Sequence, residues 1–367
     1  MKKKILAIIL AALFLVSCKS QSQEYSGLNE FEVLDVDIEG LNDNDAMDKA
    51  YAIVHERYPA TSIDFKEEDR IVDQVDLSKA GIKVLADFRA TGDEIVILDQ
   101  EDNNIKVFDW EGNLLKSIGK LGSGDMEFKM PTAFCFDEDN KLYYILNSGN
   151  RRIVVIDEAL NFVKNINVET LKEKEDYYNP FNSIALYKEK IYLSETFGRE
   201  KTMAIISIDM DGNEKLYEQK FGGFLKVVDD KLYAIEQRRG FKFGKKVDTS
   251  VGTHEFEIWP QCGDALYLVE GDKMKKLYNL PNLASFTDTL KIGDSYYLAS
   301  GTFGILHEFK VVGKEMQYQK SLTYQLLDNL KDDVDSTERF KMQEMDGNIL
   351  LMDAKADKIY VIDLTER

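Results

Sequence analysis

The chain has 367 residues and a formal net charge of −19 at pH 7. A strongly acidic protein repels the phosphate backbone, so we expect no nucleic-acid partner. The same charge disfavours broad binding to anionic lipid head groups.

Residues 1–17 have the pattern of a lipoprotein signal peptide. Three lysines at positions 2–4 precede an apolar run, residues 5–16, that is too short to span a bilayer. The segment ends in Leu-Val-Ser-Cys, which resembles a bacterial lipobox. Because a cysteine that carries more than one acyl chain anchors a protein stably, the sequence predicts a membrane anchor at Cys18. The alternative is an ordinary cleaved signal peptide followed by a chance cysteine.

The sequence predicts a lipidated tether over residues 18–30 and a small N-terminal cap over residues 31–70. The tether lacks an acidic run directly after Cys18, which would resemble the surface-export signal of Bacteroidetes lipoproteins. We therefore expect the periplasmic side of the cell envelope rather than the cell surface. In the cap, residues 31–38 alternate as a strand does, and residues 43–54 carry one apolar helical face. We expect the cap to pack on the domain that follows; a partner-binding helix is the alternative.

From residue 71 onward, a five-residue apolar block with a polar residue at its end recurs. The copies are residues 95–99, 143–147, 191–195, 232–236, 266–270, 296–300 and 349–353. Most copies follow a turn pair, such as Gly92-Asp93, that tolerates the positive φ of hairpin turns. Strand-only repeats at this spacing are typical of propellers. The sequence therefore predicts an all-β fold, a β-propeller over residues 71–367.

The spacing of the blocks predicts six blades, with seven as the alternative. The two short spacings flank residues 266–270, which we interpret as an extra strand within a neighbouring blade. The last repeat, residues 349–364, contains only two clear strands, and an open blade exposes its edge. We therefore predict that residues 71–77 complete the last blade. Residues 241–252 are basic and predict a projecting loop, and residues 324–340 could hold a short helix.

One segment carries a family resemblance. Residues 118–128 read Ile-Gly-Lys-Leu-Gly-Ser-Gly-Asp-Met-Glu-Phe, and Pro131 and the run Asn-Arg-Arg-Ile at residues 150–153 follow. These residues look like an NHL repeat and resemble the signature of six-bladed β-propeller lipoproteins common in Bacteroidetes. That signature usually has proline after its third glycine, where this chain has Asp125. The resemblance implies six blades, and most members of the family have no assigned activity.

The polar ends of the repeat blocks are the candidate ligand-binding residues. Quasi-symmetry predicts that they lie on one face of the propeller: Asp99, Asn147, Glu195, Glu236 and Asp353. Glu270 would join them if its block were an inner strand. The resemblance to NHL repeats implies that each side chain hydrogen-bonds its own loop. The alternative is an acidic rim that binds a cation or a basic ligand.

The sequence contains no recognised catalytic constellation. The histidines, at positions 55, 254 and 307, have no metal-ligand spacing, and residues 209–213 predict a hairpin turn rather than a calcium loop. Cys135 and Cys262 are expected to be unpaired thiols that behave as small apolar groups.

We therefore expect a non-enzymatic binding or scaffold protein for a protein, peptide or glycan, with no cofactor. The alternative is a metal-dependent hydrolase or lactonase, because six-bladed propellers of that kind bind Ca²⁺ with carboxylates at the central channel. An extracytoplasmic sensor module is a further alternative.

Overall fold

The computed structural model describes residues 32–34, 49, 52, 68–172, 181–195, 204–236, 241–249, 252–258, 265–280, 286–300, 306–313, 315–323 and 340–365. Within these ranges, six four-stranded antiparallel blades form a ring, and the outer strands of the fourth and fifth blades are joined by one parallel pair, Asn279 opposite Glu315. In each blade the strands are named A to D from the central axis outward.

Two strands precede the first complete blade: β1 (Glu32–Leu34) and β2 (Ile71–Asp76). Blade I consists of β3 (Leu85–Ala90), β4 (Ile95–Asp99), β5 (Asn104–Phe108) and β6 (Leu114–Ile118). The short strands β7 (Lys120–Leu121) and β8 (Glu127–Phe128) follow. Blade II consists of β9 (Pro131–Asp137), β10 (Leu142–Asn147), β11 (Arg152–Asp157) and β12 (Phe162–Asn167). A 3-10 turn, Ser148–Asn150, lies within blade II, and a one-turn helix, Glu169–Lys172, follows it.

Blade III consists of β13 (Phe181–Tyr187), β14 (Lys190–Glu195), β15 (Ala204–Asp209) and β16 (Glu214–Lys220). Blade IV begins with β17 (Gly223–Val228) and β18 (Lys231–Glu236), continues into the hairpin β19 (Phe241–Thr249) and β20 (Gly252–Ile258), and ends with β21 (Ala265–Glu270) and β22 (Lys273–Asn279). Blade V consists of β23 (Phe286–Ile292), β24 (Ser295–Ser300), β25 (Leu306–Val312) and β26 (Glu315–Ser321). Blade VI consists of β27 (Phe340–Met345), β28 (Asn348–Asp353) and β29 (Lys358–Asp363), with β2 as its outer strand.

The pairing of β2 with β29 confirms the predicted closure of the ring. The register places Ile71 opposite Ile362 and Val75 opposite Ile359. The block at residues 266–270 is β21, the C strand of blade IV, which confirms its interpretation as an extra strand. Both results support six blades rather than seven.

Apart from residues 266–270, the apolar blocks are the B strands, and they are buried because a neighbouring blade covers each of their faces. Every residue of β4 is buried, as are five of the six in β28. Among the described residues, six apolar clusters lie between successive blades, and the cluster between blades VI and I contains Leu77, Phe108 and Ile359. The ring is therefore held by one apolar layer at each blade junction.

The two faces of the ring carry different connections. Tight turns join A to B and C to D on one face, here called the turn face, and residues 188–189 and 229–230 have the paired positive φ of hairpin turns. The B-to-C and blade-to-blade connections lie on the opposite face, here called the loop face. The B-to-C connection of blade IV contains the hairpin β19–β20 and is much longer in sequence than the turns of the other face.

One prediction for the loop face is wrong. Residues 241–252, expected to form a projecting loop, belong to the hairpin β19–β20, and β1 pairs with β19 in parallel. The lysines masked an alternation of Phe241, Phe243 and Val247 that is typical of strands.

Other predictions fall mostly outside the described residues. The signal peptide and tether lie there entirely, as do residues 324–339 and Cys262. Within the predicted cap, β1 confirms a strand, and Lys49 and Ala52 are helical. No helix in the described ranges combines the length and apolar character required to cross a bilayer.

Candidate functional site

The structure places the polar block ends at equivalent positions on the loop face. The last residue of each B strand lies opposite the first residue of its A strand, as in Asp99 opposite Leu85 and Asp353 opposite Phe340. Asn147, Glu195 and Glu236 occupy the same register, and Ser300 completes the set. Glu270 does not join them, because it ends a C strand at the turn face.

Asp99 is fully buried and accepts hydrogen bonds from the backbone that enters blade I. Its carboxylate accepts the backbone N–H of Lys83 at 3.0 Å and of Val84 at 3.1 Å, and the Lys106 ammonium donates to it at 2.8 Å. Lys106 also donates to Asp102 at 2.9 Å. Hydrogen bonds from Lys83 and Lys106 lower the pKa of Asp102 to about 2. Asp99 therefore already has a cation of the protein as its partner.

Two other block ends also bind their own blade's connections. Asn147 accepts the N–H of Lys129 at 2.8 Å and donates to the carbonyl of Glu127 at 3.0 Å. Asp353 accepts the N–H of Lys355 at 3.0 Å. These contacts agree with the interpretation that each block end hydrogen-bonds its own loop.

The remaining two candidates add little evidence about a ligand. The Tyr267 hydroxyl donates to buried Glu236 at 3.2 Å. The side chain of Glu195 lies outside the described part of the chain. A ligand-binding role for the five positions remains a prediction.

The residues that carry the family resemblance build the connection between blades I and II. Gly119 has a φ of +88°, and a Cβ there would lie 2.4 Å from the Phe128 ring. The Glu127 carboxylate accepts the N–H of Gly124 at 2.8 Å, and Arg152 donates to the carbonyl of Ser123 at 3.1 Å. The motif therefore encodes a closely held loop.

The six A strands surround a central channel with a cavity of about 370 Å³. Its lining extends to Glu138 and Glu344 at the turn-face ends of β9 and β27. Sequence reasoning missed this cavity because the repeat block marks the B strands. The available signal was a charged residue inside an A strand, which is clearest at Lys226 in the otherwise apolar β17.

The channel wall is asymmetric. Blades II and III contribute the small residues Ala133, Cys135, Ser183 and Ala185 to the cavity. The other four blades contribute a set of charged residues that includes Asp87, Arg89, Lys226, Asp288 and Lys341. These four small side chains leave space beside blades II and III and face charged side chains of the other blades, although Phe134, Phe136 and Glu138 of blade II also belong to the lining.

The buried carboxylates of this wall bind backbone N–H groups across blade junctions. Asp87 accepts the N–H of Phe88 at 2.9 Å and that of Phe134, in blade II, at 3.2 Å. Asp288 likewise accepts the N–H of Thr289 at 2.8 Å and that of Met342, in blade VI, at 2.7 Å. Burial raises the pKa of Asp87 above its usual range.

Ser183 makes the corresponding contact between blades III and IV. Its hydroxyl accepts the N–H of Leu225 at 2.9 Å. Side chains of blades I, III and V therefore each cap the A strand of the next blade.

Two of the channel cations are also paired. Arg89 lies over the Phe136 ring, 3.7 Å from its centroid, and bonds Glu138 at 3.1 Å. The Lys226 ammonium donates to Asp288 at 2.8 Å and to the carbonyl of Met342 at 2.7 Å.

The thiol and the imidazole described by the structure have different surroundings. Cys135 is a free, half-buried thiol, and burial together with Asp87 and Asp137 raises its pKa. His307 lies in the core of blade V, where its Nδ1 is 2.9 Å from the hydroxyl of Ser321. Burial lowers the pKa of His307 to about 3.

Within the described residues, no group of three or more His, Cys, Asp or Glu side chains is arranged to hold a metal ion. The Asp99 and Asp353 carboxylates instead accept hydrogen bonds from nearby loops. The calcium-dependent alternative remains a prediction.

Comparison with known proteins supports the architecture. A family model described as a 6-bladed beta-propeller matches residues 78–244, which include blades I to III. No curated protein matches the sequence.

Several solved structures are similar in fold. The PQQ-bound aldose sugar dehydrogenase of Streptomyces coelicolor is 12% identical with a TM-score of 0.53, and the match covers 80% of this chain and 97% of that one. A structural genomics protein of unknown function from Bacteroides thetaiotaomicron is 13% identical with a TM-score of 0.51, covering 81% and 73%. Virginiamycin B lyase from Staphylococcus aureus is 14% identical with a TM-score of 0.49, covering 80% and 99%. At these identities the similarity concerns the fold alone, and the chain is a six-bladed β-propeller.

Proposed function

We propose that the chain is a non-enzymatic binding protein of the bacterial cell envelope, anchored through Cys18, which holds a protein, peptide or glycan ligand. The observation that carries this proposal is the channel cavity of about 370 Å³. This volume lies within the usual range for ligand sites, roughly 300 to 1,000 Å³. A cavity of this size admits a small ligand or the end of a larger one.

The chemistry of the cavity supports binding rather than catalysis. Asp87 and Asp288 accept backbone N–H groups, Lys226 is paired with Asp288, and burial makes the Cys135 thiolate unfavourable. A general base or nucleophile needs an available lone pair within reach of the substrate. Asp87 and Asp288 hold neighbouring blades together, and the Cys135 thiol favours its protonated form.

The location is proposed from the lipobox-like sequence before Cys18. The lipid chains supply the membrane contact, and the tether after Cys18 favours the periplasmic side.

Occlusion of the cavity tests the binding role. Glu344 is exposed at the turn-face end of β27 and lines the cavity, so Glu344→Trp should obstruct it. Glu315→Trp, on the outer strand of blade V, is the matched control. Immobilised wild-type protein and both variants are exposed to the peptide and glycan fractions of envelope extracts, and retained species are identified by mass spectrometry.

The proposal expects species that wild type and Glu315→Trp retain and Glu344→Trp loses. Equal retention by all three proteins would exclude the channel as the binding site.

A further inference from the structure

The charged groups that line the channel can be matched to partners one at a time. The oxygens of Asp87 and Asp288 accept backbone N–H groups. Glu138 binds Arg89 at 3.1 Å, and Glu344 accepts the N–H of Gly347 at 2.9 Å. Each acidic side chain in the lining therefore has a partner within the protein.

One cation of the lining differs from the others in its contacts. Arg89 and Lys226 form ion pairs, whereas Lys341 forms none within the part of the chain that the structure describes, and its charge acts on the Asp87 carboxylate only from beyond ion-pair distance. Its ammonium lies 5.2 Å from the centroid of the Phe224 ring. Lys341 is half-buried and is the second residue of the A strand in blade VI.

The register places Lys341 between two buried acids with which it forms no ion pair in the described residues. Lys341, Asp288 of blade V and Asp87 of blade I each lie opposite the penultimate residue of the B strand in their own blade, so they lie at the same level of the channel. Both carboxylates accept two backbone N–H groups, and Asp288 also accepts the Lys226 ammonium. A half-buried ammonium without an ion-pair partner favours a ligand that supplies one.

The wall across the channel sets the size of that ligand. Blade III lies directly opposite blade VI in a six-membered ring, and it contributes Ser183 and Ala185. Ala133 and Cys135 of blade II extend this small-residue wall. Ser183, Thr287 and Gln343 also line the cavity and hydrogen-bond the backbone of Leu225, Phe340 and Ala90. Each keeps a further donor or acceptor for a hydroxyl-rich ligand body: the Ser183 hydroxyl proton, a Thr287 lone pair and the second Gln343 amide hydrogen.

We propose that the channel binds a small sugar acid, with its carboxylate at the ammonium of Lys341 and its hydroxyl-bearing ring against blades II and III. This inference rests on the proposed binding function and assigns the ligand class of the same cavity. A charge-assisted contact is worth roughly tenfold or more in affinity. Removal of the carboxylate from the ligand and of the ammonium from the protein should therefore have equivalent effects.

The test is isothermal titration of the detergent-solubilised full chain with matched pairs of probes. These are glucuronate against glucose and galacturonate against galactose. We expect at least one acid to bind at least tenfold more tightly than its neutral counterpart. Lys341→Met should remove that preference, whereas Lys275→Met, on the outer strand of blade IV, should keep it.

A second variant separates charge from folding. Lys341→Arg retains the positive charge and should retain the preference for the acid, even if Lys341→Met lowers the melting temperature. The inference is overturned if no acid is preferred over its neutral counterpart, or if the preference survives in Lys341→Met. Binding of a neutral sugar or a peptide that Glu344→Trp abolishes would overturn the sugar-acid assignment and leave the binding function standing.

Discussion

The closing strand β2 should decide whether the ring is stable. Deletion of residues 24–67 removes the end of the predicted tether and most of the predicted cap, including β1, but keeps Glu68 and Arg70. The backbone N–H groups of these two residues donate to the carbonyls of Ser321 and Leu322. Deletion of residues 24–78 also removes β2. The second truncation leaves β29 as an unpaired edge, which is a template for aggregation.

The magnitude follows from the side chains at the seam. Val75 is 4% exposed and Leu77 is fully buried, and both would be lost. Ile359 and Ile362 are fully buried, and both would be uncovered in part. At about 1.5 to 3 kcal/mol for each fully buried aliphatic side chain, four such residues represent an upper value of roughly 6 to 12 kcal/mol. A domain is usually stable by only about 5 to 15 kcal/mol.

Circular dichroism during heating, with gel filtration of the same samples, measures the effect. We expect the shorter deletion to unfold near the wild-type midpoint and the longer one to be unfolded or aggregated at 25 °C. Two point variants within or beside β2 provide a matched comparison. Leu77→Ala should lower the free energy of unfolding by about 2 to 5 kcal/mol. Val72→Ala, at a position that is 50% exposed, should change it by about 0.5 kcal/mol or less.

Equal midpoints for the two deletions would refute this reasoning. The apolar layer between blades VI and I would then be stable without its outer strand.

Three further predictions concern the anchor, the imidazole and the thiol. Cys18→Ala should release the protein from membrane fractions, and a variant that stays bound after a carbonate wash would exclude lipidation as the anchor. The pKa of His307 is about 3 in the folded state and is usually 6.5, so on acidification the unfolded state is protonated at a higher pH than the folded state. Its contribution to stability is complete above pH 6.5 and falls below it by up to about 1.4 kcal/mol per pH unit. Denaturant unfolding should therefore lose about 2 kcal/mol less between pH 7 and pH 5 in His307→Phe than in wild type, and equal losses would assign the effect elsewhere. Because burial raises the pKa of Cys135, iodoacetamide at pH 8 should label it at least tenfold more slowly in the folded protein than in denaturant; equal rates would contradict this.

The parts of the fold that the sequence predicted are those with a local pattern. B strands such as β4 are buried on both faces, so they form unbroken apolar runs that can be counted. β2 could be recognised because residues 71–77 alternate and the last repeat lacked a strand. The hairpin at residues 241–258 was missed because basic residues obscured its alternation.

The channel could not be predicted in the same way. Asp87 and Phe134 are far apart in sequence, yet a carboxylate of one accepts the N–H of the other. A charged residue inside a short strand has no local signature that distinguishes a blade junction from a solvent-exposed edge. The equivalence of Asp99, Asn147 and Asp353 was predictable from the repeat, whereas their hydrogen-bond partners depend on the conformation of each connection.

The capping of A strands gives the ring a lower symmetry than its six blades suggest. Asp87, Ser183 and Asp288 accept an N–H from the next blade, while Ala133, Phe224 and Lys341 hold the equivalent positions in the intervening blades. Neither an alkyl or aromatic side chain nor an ammonium can accept a hydrogen bond. The contact thus follows a pseudo-threefold axis, and its smallest complete unit is a pair of blades. A symmetrised ring designed from this sequence would need to copy a two-blade module three times, because six copies of any single blade would discard half of the pattern.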